Sequence, residues 1–573
     1  MPWLQHESAC HAVRLPAENT ENIPDIRGIY IIMKIDIFEC LWPGPKSMKT
    51  NGKFDTPREV RLTGEKLPEW LINNFKEICD LQVTDNPGAY TIKLEISNDL
   101  TKNGEYELSL KANGTRILAA DKVGLTYAAR TLEQLFVYFT GKMPEIEIKD
   151  RPAFKKRCFM VDMGRSVWSL PLLKRMVRIL HRLKMNQLHL HLYDDELCSI
   201  KFKDLPLGSE NPYSLTLEEL KELVEYAAEY YVEVIPELEA WGHVGSIVYH
   251  YPELRGGDAM YRGSAFIICE ETFDLVKKMV SQIAACMPDK ATIHLGLDEA
   301  EWYLGKDMPK DFTPADMVQR YYDIIKEVGS SLNKDLTLRI WADHTGRPVP
   351  EKIKNEIIIE PWCYWNSCQE KMLKDIEKYS KNKQPWMAGA GVSGKQYRGA
   401  YHATRFLAKN TEDIPNIHGI NITFWDWNNI DERFISLFVG AYYLWNPSAK
   451  TSFADVEDYE LYDHMVFPIM YAWQAAFRDA DPDEIRKDRG PVVHLGHYHF
   501  GDRHNQPVAD TAPLAKTLNI HDYFVDYMYD SANSSSELSR SIEKRDDAEL
   551  RDIKAQEVVN RKKPIRLQPA LVK

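Results

Sequence analysis

From Arg151 to about residue 450, short apolar runs alternate with stretches whose apolar residues recur at helical spacing. The runs are RCFMVDMG (157–164), NQLHLHLYDD (186–195), VEVIPELEA (232–240), ATIHLGLDE (291–299), LTLRIWAD (336–343), EIIIEPW (356–362), QPWMAGAGV (384–392) and GINITFWDW (419–427). Runs this short read as buried strands, and LTLEELKELVEYAAEYY and ETFDLVKKMVSQIAAC between them as amphipathic helices. Eight strand–helix units over roughly 300 residues predict an α/β fold closed as a (β/α)8 TIM barrel. An open doubly wound sheet is the alternative; no Gly-rich phosphate fingerprint follows any of these strands, which counts against it.

Before the barrel, 33–150 predicts a small α+β domain. REVRLTGE and YTIKLEIS alternate like strands. YELSLKANGTRILAA predicts a hairpin turning at Asn113-Gly114, where a type I′ turn needs positive φ. KVGLTYAARTLEQLFVYF then carries a helical apolar face to cover the sheet. Residues 1–32 predict a disordered extension, 451–530 a helical C-terminal region with the histidine-rich loop HLGHYHFGDRH, and 531–573 a charged helix or disordered tail.

A formal net charge of −13 argues against a nucleic-acid partner, which needs a positive surface to displace counterions. No apolar run is long enough to span a membrane, so no membrane partner is expected. The first 32 residues lack a signal-peptide pattern, so the expected location is cytoplasmic, or secreted or periplasmic if the true start lies elsewhere. Nine scattered Cys without a CxxC predict reduced thiols rather than a disulfide framework or zinc site. Fourteen Trp and 29 Tyr supply flat rings of the kind that stack on sugars.

Barrel enzymes place chemistry where strands end. Here those ends carry Asp162 and Arg165; Asp194, Asp195 and Glu196; Glu237, Trp241 and His243; Asp298 and Glu299; Trp341 and Asp343; Trp362, Tyr364 and Trp365; and Trp425, Asp426 and Trp427. Acids interleaved with indoles describe a sugar-sized pocket. The motifs within it make the chain similar to glycoside hydrolase family 20, the β-N-acetylhexosaminidases. KDRPAFKKRCFMVDMGR resembles that family's entry into its barrel, KMNQLHLHLYDDE its second strand, VIPELEAWGH its third, and IHLGLDEAEW its H-x-G-x-D-E signature. The bulky Leu297, where many members have Gly, places the resemblance near the single-chain exo-β-N-acetylglucosaminidases.

The resemblance implies an exo-β-N-acetylhexosaminidase that removes terminal β-linked GlcNAc or GalNAc from an oligosaccharide or glycoconjugate, without cofactor or metal. In it the substrate's own acetamide oxygen is the nucleophile, giving an oxazolinium intermediate. Adjacent residues on a strand point to opposite sides, which also disfavours Asp298 and Glu299 as an acid and nucleophile flanking one bond. Glu299 would be the general acid and then base, with a pKa raised by burial, and Asp298 would orient the acetamide N–H. Arg165 would bind the outer hydroxyls of the sugar, and His243 and Asp195 would support the catalytic pair. Trp341 would wall the acetamide methyl, Tyr364 bond its oxygen and Trp425 floor the sugar; Asp343, Trp362 and Asp426 complete the expected binding set. A homodimer is left open.

Two other classes remain. A non-catalytic carbohydrate-binding barrel would keep the rings and typically lose the acid, which is present as Glu299. His189 and His191, on one face of a strand, have the spacing of a metal-dependent amidohydrolase, but on the second strand rather than the first.

Overall fold

The computed structural model describes residues 41–448, apart from 166–167, 196, 210–213, 259–263, 301–311, 343–347, 363–365, 393–396 and 426–429. The terminal segments at 1–32, 451–530 and 531–573 therefore lie outside the described residues, as do Glu196, Asp343, Tyr364, Trp365, Asp426 and Trp427.

The first unit is a seven-stranded mixed sheet. Its strands are β1 (Ser47–Asp55), β2 (Glu59–Gly64), β3 (Gln82–Val83), β4 (Tyr90–Ile96), β5 (Tyr106–Lys111), β6 (Gly114–Ala119) and β7 (Lys142–Asp150), in the order β1-β7-β5-β6-β4-β2-β3. The helices are α1 (Glu69–Glu77) and α2 (Lys122–Tyr138). Asp121 caps α2 by accepting from the Gly124 amide at 2.7 Å. The buried face of α2 packs on Ile92, Leu108 and Ile117 of the sheet in one core. Edge strand β1 escapes the sequence pattern because it is nearly all polar and exposed, with no face to bury.

The β5–β6 hairpin turns one residue earlier than its sequence suggests. Lys111 pairs with Gly114, so the turn is Ala112-Asn113. Neither of these residues has positive φ, and only Gly114 does, at 142°. The type I′ expectation fails because the glycine is used to start the returning strand.

The second unit is the closed parallel barrel that the alternation predicts. Its strands are β8 (Lys156–Asp162), β9 (Gln187–His191), β10 (Glu233–Glu237), β13 (Lys290–His294), β14 (Asp335–Ala342), β15 (Ile357–Pro361), β16 (Trp386–Val392) and β17 (Ile417–Phe424). A small hairpin of β11 (Arg255–Asp258) and β12 (Ser264–Phe266) follows β10. The helices around the barrel include α3 (Leu170–Arg182), α4 (Leu217–Glu229), α5 (Gly245–Val248), α6 (Glu270–Cys286), α7 (Pro314–Leu332), α8 (Asn366–Lys381), α9 (Tyr397–Thr411) and α10 (Ile430–Trp445). Thr216 with Glu219, and Thr313 with Asp316, form capping boxes that fix where α4 and α7 begin. None of the described helices is long and apolar enough to cross a membrane.

Cys79, Cys158, Cys198, Cys269 and Cys286 are free thiols. Cys368 is disulfide-bonded, which corrects the expectation of reduced thiols throughout.

The two units share buried polar contacts. Lys184 is fully buried and donates to Tyr106 Oη and Thr131 Oγ1, each at 2.9 Å, with Asp150 Oδ2 at 3.4 Å. Asp150 also accepts from Tyr106 Oη at 2.6 Å and from the indole N–H of Trp445, at the end of α10, at 3.0 Å. A buried charge is tolerated only when it is matched in this way. Asp150→Ala should cost about 3–5 kcal/mol by stranding the Lys184 ammonium. Urea unfolding would show this, and Asp150→Ala with Lys184→Met should recover part of the loss.

Candidate active site

The barrel interior is ionic where such barrels are ordinarily filled by branched aliphatics. Alternation turns His189, His191, Glu237, His294, Arg339, Glu360 and Asn421 inward, and all are buried. Glu237 is the centre. It faces His191 Nδ1 at 2.7 Å, His189 Nε2 at 3.0 Å and His294 Nδ1 at 3.0 Å, and accepts from the Trp341 indole at 2.5 Å. Glu360 is matched by Arg339 and by the Asn421 amide. Burial opposes the charge of Glu237, but the three imidazoles outweigh it and hold its pKa well below the usual carboxylate range.

The layer above faces the rim. Arg165 is gripped by two carboxylates, Asp162 at 2.8 Å and Asp194 at 2.6 Å, and its guanidinium lies 5.6 Å from the Trp425 ring. His191 joins this layer to the one below: its Nε2 meets Asp194 Oδ2 at 2.8 Å while Nδ1 serves Glu237. Burial works against a charged His191, but Glu237 and Asp194 overcome it and raise its pKa to about 10. Met160, Trp341, Trp362 and the half-buried Trp425 form a separate apolar cluster beside these charges.

β13 ends at His294, and the next residues leave strand geometry: Gly296, Leu297 and Glu299 have φ of 62°, 75° and 51°. The twist swings both carboxyls onto one imidazole. Glu299 Oε2 lies 3.3 Å and Asp298 Oδ2 3.7 Å from His243 Nε2. Opposite-side projection therefore does not describe this pair, because strand alternation stops before it begins. On its other edge His243 Nδ1 faces Asp195 at 3.3 Å and Asp194 at 3.4 Å. Asp195 is held in turn by the Gly245 amide at 2.9 Å. Burial lowers the pKa of His243, but Asp194, Asp195 and Glu299 raise it further, to well above the usual imidazole value. Burial, partly offset by His243, raises that of Asp298, with Glu299 adding to the rise. Gly242 lets the two segments meet, since a Cβ there would lie 2.6 Å from the Asp298 carbonyl oxygen.

Leu297 bears on the signature directly. Its left-handed backbone is where glycine is at ease, while its side chain is fully buried. Relief of φ strain is worth about 1–2 kcal/mol, against about 2–5 kcal/mol for a buried leucine. Leu297→Gly should therefore lower stability by roughly 1–3 kcal/mol in a denaturant titration.

Of the residues singled out by sequence, the structure brings Arg165, Asp195, His243, Asp298 and Glu299 to one rim, with Trp341, Trp362 and Trp425 in the adjoining cluster. Asp343, Tyr364 and Asp426 lie outside the described residues. Sequence reading missed the bridging roles of His191 and Asp194 and the buried Glu239. The i, i+2 acids of PELEA were the available signal, since alternation on paper puts them on one face, although β10 ends at Glu237. Among the described residues, three His–carboxylate groups are close enough to hold a cation: His189, Glu237 and His294; His191, Glu237 and Glu239; and Asp194, Asp195 and His243. His189 and His191 already face Glu237, and His189 is buried with a pKa lowered to about 4.

The profile of "Glycosyl hydrolase family 20, catalytic domain" matches residues 154–385, and that of "Glycosyl hydrolase family 20, domain 2" matches 40–151. The chain belongs to glycosyl hydrolase family 20. It is 31% identical over 302 residues to a β-hexosaminidase of Vibrio furnissii, covering 47% of this chain and 48% of that one. It is 25% identical over 279 residues to a chitooligosaccharidolytic β-N-acetylglucosaminidase of Bombyx mori, covering 42% and 46%. The chain thus spans about half the length of the curated relatives it matches. Its fold matches a family 20 exo-β-N-acetylglucosaminidase of Vibrio harveyi bound to N-acetylglucosamine, at a TM-score of 0.60, 19% identity, and 77% and 78% coverage. A β-N-acetylhexosaminidase of Streptomyces coelicolor gives 0.60, 18%, and 77% and 96%.

The titration of His191 gives a stability test. Its folded pKa of about 10 exceeds the unfolded value of about 6.5. The stabilisation is therefore complete below about pH 6.5 and is lost as pH rises towards 10. Thermal unfolding of the wild type should weaken across that window, and His191→Asn should flatten the decline.

Proposed function

We propose that the protein is an exo-acting β-N-acetylhexosaminidase that hydrolyses terminal β-linked GlcNAc or GalNAc with retention, using the substrate's acetamide as nucleophile. One observation carries the reading: Asp298 and Glu299 converge on a single buried His243 that is backed by Asp195 and Asp194. Hydrolysis needs a proton for the leaving oxygen and negative charge beside a carbon that becomes cationic. Glu299 supplies the proton. Protonated His243 then stabilises the carboxylate left behind, and Glu299 recovers its proton from the attacking water. Asp298 orients the acetamide N–H and balances the positive charge of the ring that forms.

Arg165 suits the outer hydroxyls of the terminal sugar. Its position is fixed by Asp162 and Asp194, so ordering it costs little when substrate arrives. Trp425, half-buried at 5.6 Å from that guanidinium, offers a ring face, and Trp341 and Trp362 wall the side. The family membership and the curated relatives' names support this reading.

Turnover of p-nitrophenyl β-GlcNAc and β-GalNAc, with the β-glucoside as control, tests it. The acetamido sugars should be cleaved and the glucoside left intact. With a poor leaving group, Glu299→Gln should lower kcat by about 10²–10⁴ and Asp298→Asn by about 10²–10³. Equal cleavage of the glucoside would remove the acetamide from the mechanism.

A further inference from the structure

His191 is the second inward histidine of QLHLH in β9, and it is buried. Both of its nitrogens are committed. Nδ1 is hydrogen-bonded to Glu237 Oε2 at 2.7 Å in the barrel interior, and Nε2 to Asp194 Oδ2 at 2.8 Å at the rim. Both partners are carboxylates, which only accept, so both ring nitrogens donate. The same Asp194 Oδ2 takes Arg165, whose Nη2 lies 2.6 Å away. One carboxylate oxygen thus joins the imidazole to the guanidinium. A second contact does not pass through Asp194. The Trp425 and His191 rings meet edge to face, with centroids 5.0 Å apart and planes at 85°. Trp425 is also the ring 5.6 Å from the Arg165 guanidinium carbon.

Asp162 holds Arg165 through Nη1 at 2.8 Å, and Asp194 holds it through Nη2. One such bond lets a planar cation swing; two, on different nitrogens, fix its plane. Asp194 can fix its end only if its own carboxyl is fixed. Oδ1 accepts from the Asp195 amide at 2.6 Å, and Oδ2 meets His191. The imidazole stands on a barrel strand and is tied to Glu237. The aim of Arg165 is therefore referred to the barrel interior, not only to the loop that carries it. Displacing a binding group by about 1 Å can cost on the order of 10²-fold in rate.

We propose that His191 is a positioning residue for recognition of the terminal sugar: through Asp194 it aims the Arg165 guanidinium, and through its ring contact it seats Trp425. The proposal rests on the reading of Arg165 as the group that binds the outer hydroxyls. His191 acts through Arg165, so its effect appears where a hydroxyl is present for Arg165 to bind and fades when that hydroxyl is removed. A histidine that only filled the core would weaken the turnover of both kinds of sugar alike.

The test compares p-nitrophenyl β-GlcNAc with its 3-deoxy and 4-deoxy analogues. Asparagine and glutamine divide the two bonds of His191. The amide nitrogen of asparagine falls near the place of Nδ1 and keeps Glu237; that of glutamine falls near Nε2 and keeps Asp194. His191→Asn should lower kcat/KM for the full sugar about tenfold, and for at least one deoxy sugar by less than about threefold. His191→Gln should keep the wild-type preference for the full sugar to within about threefold. In an Arg165→Ala background, His191→Asn should add little, because the two act as one unit. A His191→Asn protein that melts like wild type and loses equally on full and deoxy sugars would overturn the proposal. So would a folded His191→Gln that loses the preference, and this variant decides alone if His191→Asn does not fold. Arg165→Ala also tells the two readings apart. If it treats full and deoxy sugars alike, the reading of Arg165 falls and the proposal with it. If it loses the preference and His191→Asn keeps it, the proposal falls alone.

Discussion

A carboxylate in the middle of a protein must be surrounded by donors, and Glu237 sets that condition for the whole barrel. Its partners come from three strands: His189 and His191 of β9, His294 of β13 and Trp341 of β14. His191 Nδ1 and the Trp341 indole are hydrogen-bonded to it, His189 and His294 face it at 3.0 Å, and each contact ties a neighbouring strand to the axis. The same imidazole that serves Glu237 from one nitrogen serves Asp194 from the other, and Asp194 grips Arg165. The rim is therefore held by buried charges passed upward from the core. A change deep in the barrel should be felt at the rim through this chain of contacts.

The charge pattern also assigns distinct states to chemically similar groups. Asp194 and Glu237 are matched by cations, which hold their pKa values low; burial and neighbouring acids raise those of Asp298 and Glu239, and His243 offsets part of the rise at both. Environments that push like groups apart are how one pocket can hold both acids and bases at one pH. His243 touches both sets, with Asp194 and Asp195 on one edge and Asp298 and Glu299 on the other.

The barrel was legible in the sequence because eight buried strands leave eight short apolar runs, and each run found its strand. The runs overshot at their C-terminal ends. LYDD, LEA and LGLDE continue the alternation on paper, but β9, β10 and β13 end at His191, Glu237 and His294. Those overshoots are where the site lies. Three left-handed residues in LGLDE, two of them not glycine, cannot be seen in a pattern of polar and apolar positions. The convergence of Asp298 and Glu299 was hidden for that reason. Strand β1 was hidden for another, since an exposed polar edge carries no pattern at all. Arg165 and His243 could be named from motif spacing, but the carboxylates that fix them come from other strand ends and needed the closed barrel to bring them together.

The central claim is that the substrate's acetamide oxygen, rather than a carboxylate of the protein, attacks the anomeric carbon. The most direct measurement is kcat/KM for p-nitrophenyl β-GlcNAc analogues whose N-acetyl group carries none, one, two or three fluorines. Fluorine drains electron density from that oxygen while barely changing its size. A steep fall in rate with each fluorine is the predicted result, whereas rates indifferent to fluorine would mean that the nucleophile belongs to the protein.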